Sequence, residues 1–184
     1  MKKPINTSYT HKEHKHRFAA WCSSTAARAS RNCRFKVSQG VQILTLIDIA
    51  SAVESKSNWG SEKMFDIWHE NSCDALVLHA ENLEINGFTF GVAAKMVNCY
   101  VKAFTISDTH QCRFAHPPID RLLLLALEEN NFGERRDTWR FFKNIGWSNF
   151  TKAQYSEVIR NIKESLHCSQ ELWEVESYWD GFQH

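Results

Sequence analysis

The spacing of apolar residues between positions 89 and 105 constrains the fold more than any other feature of the sequence. A helix gathers residues three or four positions apart on one face, whereas a half-buried strand alternates apolar and polar residues. The segment follows the helical spacing, with apolar side chains at Ala93, Met96, Val97, Tyr100, Val101 and Phe104. It therefore predicts a long helix that packs one face against the rest of the protein.

Similar patterns predict further helices elsewhere in the chain. Apolar faces are marked by Val37, Val41, Leu44 and Ile47, and by Ala75, Leu78 and Leu83. Thr151 and Gln154 have the spacing of a capping box at a helix start. Because strand patterns are nearly absent, we predict a single all-α domain of about seven to nine helices, arranged as two groups around a cleft.

The run from Leu122 to Leu125 is apolar on nearly every side, as expected for a buried helix. Pro117 and Pro118 come shortly before it, and we expect them to open this helix because proline suits the first turn. Asp120 would then lie in the first turn, where the helix dipole favours a carboxylate.

The segment 83–90 has two interpretations. Its alternating pattern around Asn86 and Gly87 is typical of a β-hairpin. Alternatively it is a tight turn between two helices, in which Gly87 and Gly91 let the backbone approach another group closely. We favour the turn, because two isolated strands would be only marginally stable in a helical protein.

Composition excludes several classes of protein. The chain has 184 residues, a mean hydropathy of −0.44 and no long apolar run, so we expect no membrane contact and no secretory signal. Its six cysteines include no C-x-x-C pair, which favours reduced thiols and a cytoplasmic location. His11, His14 and His16 are close in sequence but lack a second ligand pair, so we predict no metal site.

Positive charge is concentrated near the start of the chain. Residues 1–36 contain one acidic residue, Glu13, and nine basic residues: Lys2, Lys3, Lys12, Lys15, Arg17, Arg28, Arg31, Arg34 and Lys36. Their net charge is therefore +8, and because the whole chain carries +1, the remainder carries −7. The asymmetry predicts contact with a polyanion such as DNA, although a solvated basic tail is the simpler alternative. We assign residues 1–12 to a flexible basic tail and 13–184 to the domain.

Two residues at predicted helix starts could carry chemistry. Gly91 begins a helix whose first backbone N–H groups, including those of Val92 and Ala93, could hold a phosphate. Lys95 follows one turn later, and Asp120 precedes the leucine-rich helix. Taken alone, Lys95 is most simply a solvated surface lysine and Asp120 an ordinary helix-start carboxylate. Together they could converge on one cleft.

The stretch Gly91-Val92-Ala93-Ala94-Lys95, followed 25 residues later by Pro118-Ile119-Asp120, resembles the helix-hairpin-helix DNA glycosylases. The resemblance covers about residues 72–130 and is greatest to the oxoguanine DNA glycosylase/lyases, including their archaeal branch. It implies that Lys95 is the nucleophile and Asp120 the essential carboxylate. It also implies excision of a flipped oxidised purine such as 8-oxoguanine through a Schiff base, without a metal or other cofactor.

The same resemblance implies further contacts with DNA. The backbone would be held by Gly87, Gly91, Val92 and Ala93. The charge of residues 1–36 separately predicts backbone contacts by Arg28, Arg31 and Arg34. A late aromatic segment would contact the flipped base, for which we nominate Trp179 and then Trp173. We expect a monomer that acts on damaged duplex or single-stranded DNA. The alternatives are a non-catalytic helical DNA-binding module and an accessory protein of a bacterial defence locus.

Overall fold

The computed structural model describes residues 9–28, 30, 32–55, 59–106 and 113–181, and these residues form helices without any strand. The α-helices are α1 (His11–Ala27), α2 (Val37–Leu46), α3 (Ile49–Glu54), α4 (Glu62–Asn82), α5 (Phe90–Thr105), α6 (Arg121–Glu129), α7 (Arg136–Ile145) and α8 (Lys152–Ser165). Short 3₁₀-helices cover Phe132–Glu134, Trp147–Asn149 and Leu172–Tyr178. The predicted all-α class is confirmed for this part of the chain. None of its helices is long and apolar enough to cross a membrane.

Helix α5 forms the centre of the protein, as its apolar pattern predicts. It is buried on most sides, and α1, α4 and the 3₁₀-helix at Trp147 all pack against it. His16, early in α1, bonds to Tyr100 late in α5, whereas Phe35, after α1, contacts Phe88 just before α5. The two helices therefore run antiparallel, and the region after α1 lies at the end of the molecule where α5 begins.

Helix α1 begins at His11, where Thr10 caps it by accepting a hydrogen bond from the Glu13 N–H. Lys12 then pairs with Glu54 and bonds to Ser51. Residues 11 and 12 thus belong to the helical domain, and the assignment of residues 1–12 to a tail places its boundary inside a helix. Residues 1–8 of that tail lie outside the described residues.

The buried face of α4 differs from the predicted one. Leu78 is 56% exposed, and Ala75 and Leu83 are half-buried. The helix instead buries Phe65, His69, Cys73, Leu76 and Ala80. The apolar pattern was misleading because a histidine occupies a core position, where a hydrogen bond to Asn98 satisfies its ring.

Helix α6 begins later than predicted. Residues 115–120 are not helical, and Asp120 is the N-cap rather than a first-turn residue. Its backbone is extended, with φ −141° and ψ −178°, and its carboxylate accepts a hydrogen bond from the Leu123 N–H. The prolines therefore precede the helix, and Asp120 takes the capping role because its side chain satisfies one of the free N–H groups there.

The segment 83–89 is a turn between α4 and α5, so the predicted turn between two helices is confirmed. Gly87 has a φ of +73°, a conformation that favours glycine. A Cβ atom at this position would lie 2.3 Å from the carbonyl oxygen of Asn32. The turn thus packs directly against the segment that follows α1.

Gly91 makes the closest backbone approach at the start of α5. A Cβ atom there would lie 2.0 Å from the carbonyl oxygen of Trp147. We expect Gly91→Ala to lower the free energy of unfolding by about 2 kcal/mol or more, because the clash is with backbone that cannot move aside. Without the clash, alanine would stabilise a helix by about 1 kcal/mol.

Urea denaturation of Gly91→Ala measures this effect. Gly60→Ala is the matched control, since its Cβ would meet only Met64 Sδ at 3.6 Å. Equal stability of the Gly91→Ala variant and the unaltered protein would show that α5 does not pack this closely on the 147–150 segment.

Candidate active site around Lys95 and Asp120

Lys95 is a buried lysine. It lies in the second turn of α5 and is only 7% exposed, so its interpretation as a solvated surface residue is wrong. Its ammonium group lies 4.3 Å from the centre of the Trp147 ring. A cation over an aromatic face is stabilised by the ring while water is excluded. The close packing of Gly91 on Trp147 fixes this ring relative to α5.

Asp120 faces Lys95 across the gap between α5 and α6. Lys95 Nζ lies 3.5 Å from Asp120 Oδ2, so the two residues converge as the sequence predicts. The other carboxylate oxygen, Oδ1, accepts the hydrogen bond from the Leu123 N–H at 2.9 Å. Trp179 Nε1 donates to Oδ2 at 3.2 Å. These bonds fix the carboxylate and leave its Oδ2 directed at the amine.

This arrangement places an amine beside a carboxylate. A nucleophilic lysine needs a proton acceptor nearby, because only the neutral amine attacks carbon. Cys99, one turn further along α5, does not compete as a nucleophile at neutral pH. Burial raises the pKa of its thiol to about 11, although the charges of Lys95 and Lys102 oppose the shift.

The backbone N–H groups at the start of α5 have partners within the protein. The Gly91 N–H donates to the Phe150 carbonyl at 3.0 Å, and those of Val92 and Ala93 donate to the side chain and carbonyl of Thr89. All three residues are buried. Phosphate binding at these atoms would require those bonds to break, whereas Gly87 is exposed on the turn.

Basic side chains lie beside this turn. Arg28, Arg34 and Lys36 are exposed, and together they form the surface that we call the basic patch. They line a shallow cavity of about 300 Å³ with Phe35 and Gln39. The patch borders the turn between α4 and α5, because Asn32 contacts Gly87 and bonds to Asn149. Arg31, the other arginine predicted to bind DNA, lies outside the described residues.

The two tryptophans nominated for base binding lie in different surroundings. Trp179 is half-buried, and its ring N–H donates to Asp120. Trp173 is exposed and lines a cavity of about 570 Å³. The other lining residues are Lys102, Ile106, Ala115, His116, Gln170, Glu174, Glu176 and Ser177.

A polar network that is buried except at Asp66 adjoins α5, and sequence reasoning missed it. It comprises Asp66, His69, Asn98, His116 and Tyr155, which we call the polar network. His69 donates to Asn98 Oδ1 at 2.8 Å, and Asn98 Nδ2 donates to Tyr155 at 2.9 Å. Tyr155 bonds to His116 Nδ1 at 3.0 Å, and His116 Nε2 bonds to Asp66 at 2.8 Å. Donors and acceptors match throughout when both histidines are neutral.

The environment of the network opposes protonation of its histidines. Burial lowers the pKa of His69 well below its ordinary value, and the charge of His116 adds to this effect. Burial also lowers the pKa of His116, against the opposing effect of its hydrogen bond to Asp66. Burial alone would raise the pKa of Asp66, but hydrogen bonds from His116 and Lys163 outweigh it and lower the value to about 2.

These shifts predict a loss of stability in acid. A histidine with a lowered pKa in the folded state stabilises the protein above its unfolded pKa of 6.5, and this contribution is lost below that pH. The contribution of Asp66 persists above 3.8 and disappears as the pH falls towards 2. We therefore expect the free energy of unfolding to fall below pH 6.5 by up to about 1.4 kcal/mol per pH unit for each buried histidine.

Urea denaturation between pH 8 and pH 5 tests this expectation. The His69→Gln variant should lose part of the pH dependence, whereas substitution of the exposed His167 by glutamine should leave it unchanged. A stability that is independent of pH over this range would contradict the account of the network.

The histidines near the start of α1 do not gather around a common point in the structure. His14 bonds to Tyr9 and His16 to Tyr100. Within the described part of the chain, no group of three His, Cys, Asp or Glu residues has the arrangement of a metal site.

Comparisons with protein families, with curated proteins and with solved structures found no match to this chain. The functional proposal therefore rests on the geometry of the protein's own residues.

Proposed function

We propose that this protein is a DNA glycosylase that also cleaves the strand at the resulting abasic site. The observation that carries the proposal is the buried pair formed by Lys95 and Asp120, with 3.5 Å between amine and carboxylate. The glycosylase architecture of two helical groups around a cleft is part of the proposal. Support comes from the turn between α4 and α5, the basic patch beside it and the fixed orientation of the carboxylate.

The proposed reaction assigns one role to each member of the pair. Asp120 accepts the proton of Lys95 and passes it to the departing base, so its carboxylate is negative again while positive charge develops on the sugar. The neutral amine attacks C1′, the bond from C1′ to the base breaks, and the base leaves with its bonding electrons and that proton. The C1′-bound nitrogen then gives a proton to the ring oxygen, and opening of the sugar ring leaves a protonated Schiff base between Lys95 and C1′. Loss of a proton from C2′ then expels the 3′ phosphate and nicks the strand.

The cavity lined by Trp173 is the candidate pocket for a flipped base. One segment connects it with the pair, because Glu176 pairs with Lys102 at the cavity and Trp179 bonds to Asp120. Aromatic and polar side chains together suit a nucleobase, which needs stacking and edge contacts.

The basic patch is the candidate contact for the DNA backbone. We expect joint substitution of Arg28, Arg34 and Lys36 by glutamine to weaken DNA binding and to make its salt dependence shallower, by about 0.9 in logarithmic slope for each lost phosphate contact. Arg160→Gln is the control, because Glu157 and Glu164 already neutralise that guanidinium. Fluorescence anisotropy across a salt series gives both quantities, and an unchanged affinity and slope in the triple variant would exclude this surface.

A panel of damaged oligonucleotides tests the proposed activity. Duplex and single-stranded DNA, each carrying 8-oxoguanine, another damaged base or an abasic site, should be scored separately for base release and nicking. We expect release of an oxidised purine and nicking at the abasic site. Absence of both reactions across the panel would overturn the proposal.

The basic patch also favours a second candidate, a DNA-binding module without catalysis. In that case the panel would show salt-dependent binding but neither base release nor nicking. Lys95 would then serve to hold α5 and α6 together through its buried ion pair.

A further inference from the structure

We propose that Asn98 is a positioning residue that sets the place of Asp120 relative to Lys95. This inference rests on the proposed function. Asn98 lies on α5, about one turn after Lys95, and is only 1% exposed. Its side-chain amide donates to the carbonyl oxygen of Pro117 at 3.0 Å. One short stretch of α5 thus holds both the amine and the segment that carries the carboxylate.

The segment 115–120 depends on side chains for its position. It contains two prolines, which have no N–H to donate, and it is not helical. The bond from Asn98 fixes Pro117, and the bonds of His116 to Tyr155 and Asp66 fix the preceding residue. Asp120 follows Pro117 by three residues, so a shift of this segment would move the carboxylate.

The polar network in turn fixes the amide of Asn98. Its oxygen accepts from His69, and its nitrogen donates to both Pro117 and Tyr155. An amide with all of these contacts cannot rotate without leaving a buried group unsatisfied. Residues of α4 and α8 therefore fix the orientation of Asn98. Asn98 in turn fixes the geometry of the reacting pair.

The test compares substitutions of two buried asparagines. The rate of borohydride trapping is measured on duplex DNA that contains one abasic site, with the protein in saturating excess. Asn98→Ser shortens the side chain and removes the bond to Pro117. We expect trapping to slow by about 100-fold, because small displacements at a reacting pair are costly. Asn161→Ser is the control, since Asn161 is also buried but bonds to Arg135 and Glu157. It should trap within about twofold of the unaltered protein, as expected for a site that does not touch the pair.

A double variant separates positioning from general destabilisation. If Asn98 acts through Asp120, adding Asn98→Ser to Asp120→Asn should slow trapping no further. DNA affinity should stay the same in all variants. If Asn98→Ser fails to fold, Asn98→Asp replaces it, since it keeps the shape and the acceptor for His69 but places an oxygen against the Pro117 carbonyl.

The outcomes distinguish this inference from the function on which it rests. Rapid trapping by the unaltered protein together with equal trapping by Asn98→Ser would overturn the positioning role alone. The positioning role would also be overturned if Asn98→Ser slowed trapping in the Asp120→Asn protein by the same factor as in the unaltered protein. If the unaltered protein traps no DNA, the proposed function itself fails.

Discussion

Lys95→Gln is expected to abolish borohydride trapping and strand nicking while DNA binding largely persists. Glutamine retains much of the length and some hydrogen bonding of lysine but has no nucleophilic amine. The crosslink forms only when borohydride reduces a Schiff base between an amine and C1′. Trapping on abasic-site DNA, with affinity measured in parallel, separates a chemical role from a binding role.

Lys152→Gln is the matched control for this substitution. Lys152 begins α8, pairs with Glu70 and Asp74, and does not line the candidate base pocket. It should retain trapping. A Lys95→Gln protein that forms the crosslink at the unaltered rate would mean that another amine reacts. Weaker binding with normal turnover at saturation would instead support a DNA-binding role for Lys95.

Asp120→Asn is expected to slow base release by about 100-fold or more, because charge stabilisation in a dry site is a large catalytic effect. The fold should persist, since asparagine caps a helix about as well as aspartate and can still accept from the Leu123 N–H. Single-turnover release from damaged duplex DNA measures the effect.

Asp74→Asn provides the comparison for Asp120→Asn, because it removes a carboxylate that pairs with Lys152 rather than with Lys95. Its rate of base release should stay closer to that of the unaltered protein. Equal rates for Asp120→Asn and the unaltered protein would exclude the carboxylate from the reaction.

The sequence predicts the features that depend on local pattern. The apolar period of α5 fixes that helix, and the Asn86-Gly87 pair marks the turn before it, where φ of Gly87 is positive. The proximity of Lys95 and Asp120 could be expected from their places at two helix starts and from the family resemblance. The catalytic roles of both residues remain predictions.

Long-range packing explains what the sequence did not predict. The Lys95 amine lies over the Trp147 ring, and Gly91 packs against the backbone of Trp147. Both contacts join positions far apart in the chain. The polar network gave no signal either, because His69 and Asn98 are polar residues at core positions, and only their mutual bonding makes burial tolerable. A rule that treats polar residues as exposed assigns α4 the wrong face.

The most direct test of the central claim identifies the amine that reacts with DNA. Borohydride-trapped protein on abasic-site DNA should be digested with nuclease and protease, and the modified residue located by mass spectrometry. The account predicts that the remnant of the sugar is attached to Lys95. Attachment to an N-terminal lysine, to the terminal amine or to Lys102, with Lys95 unmodified, would contradict it.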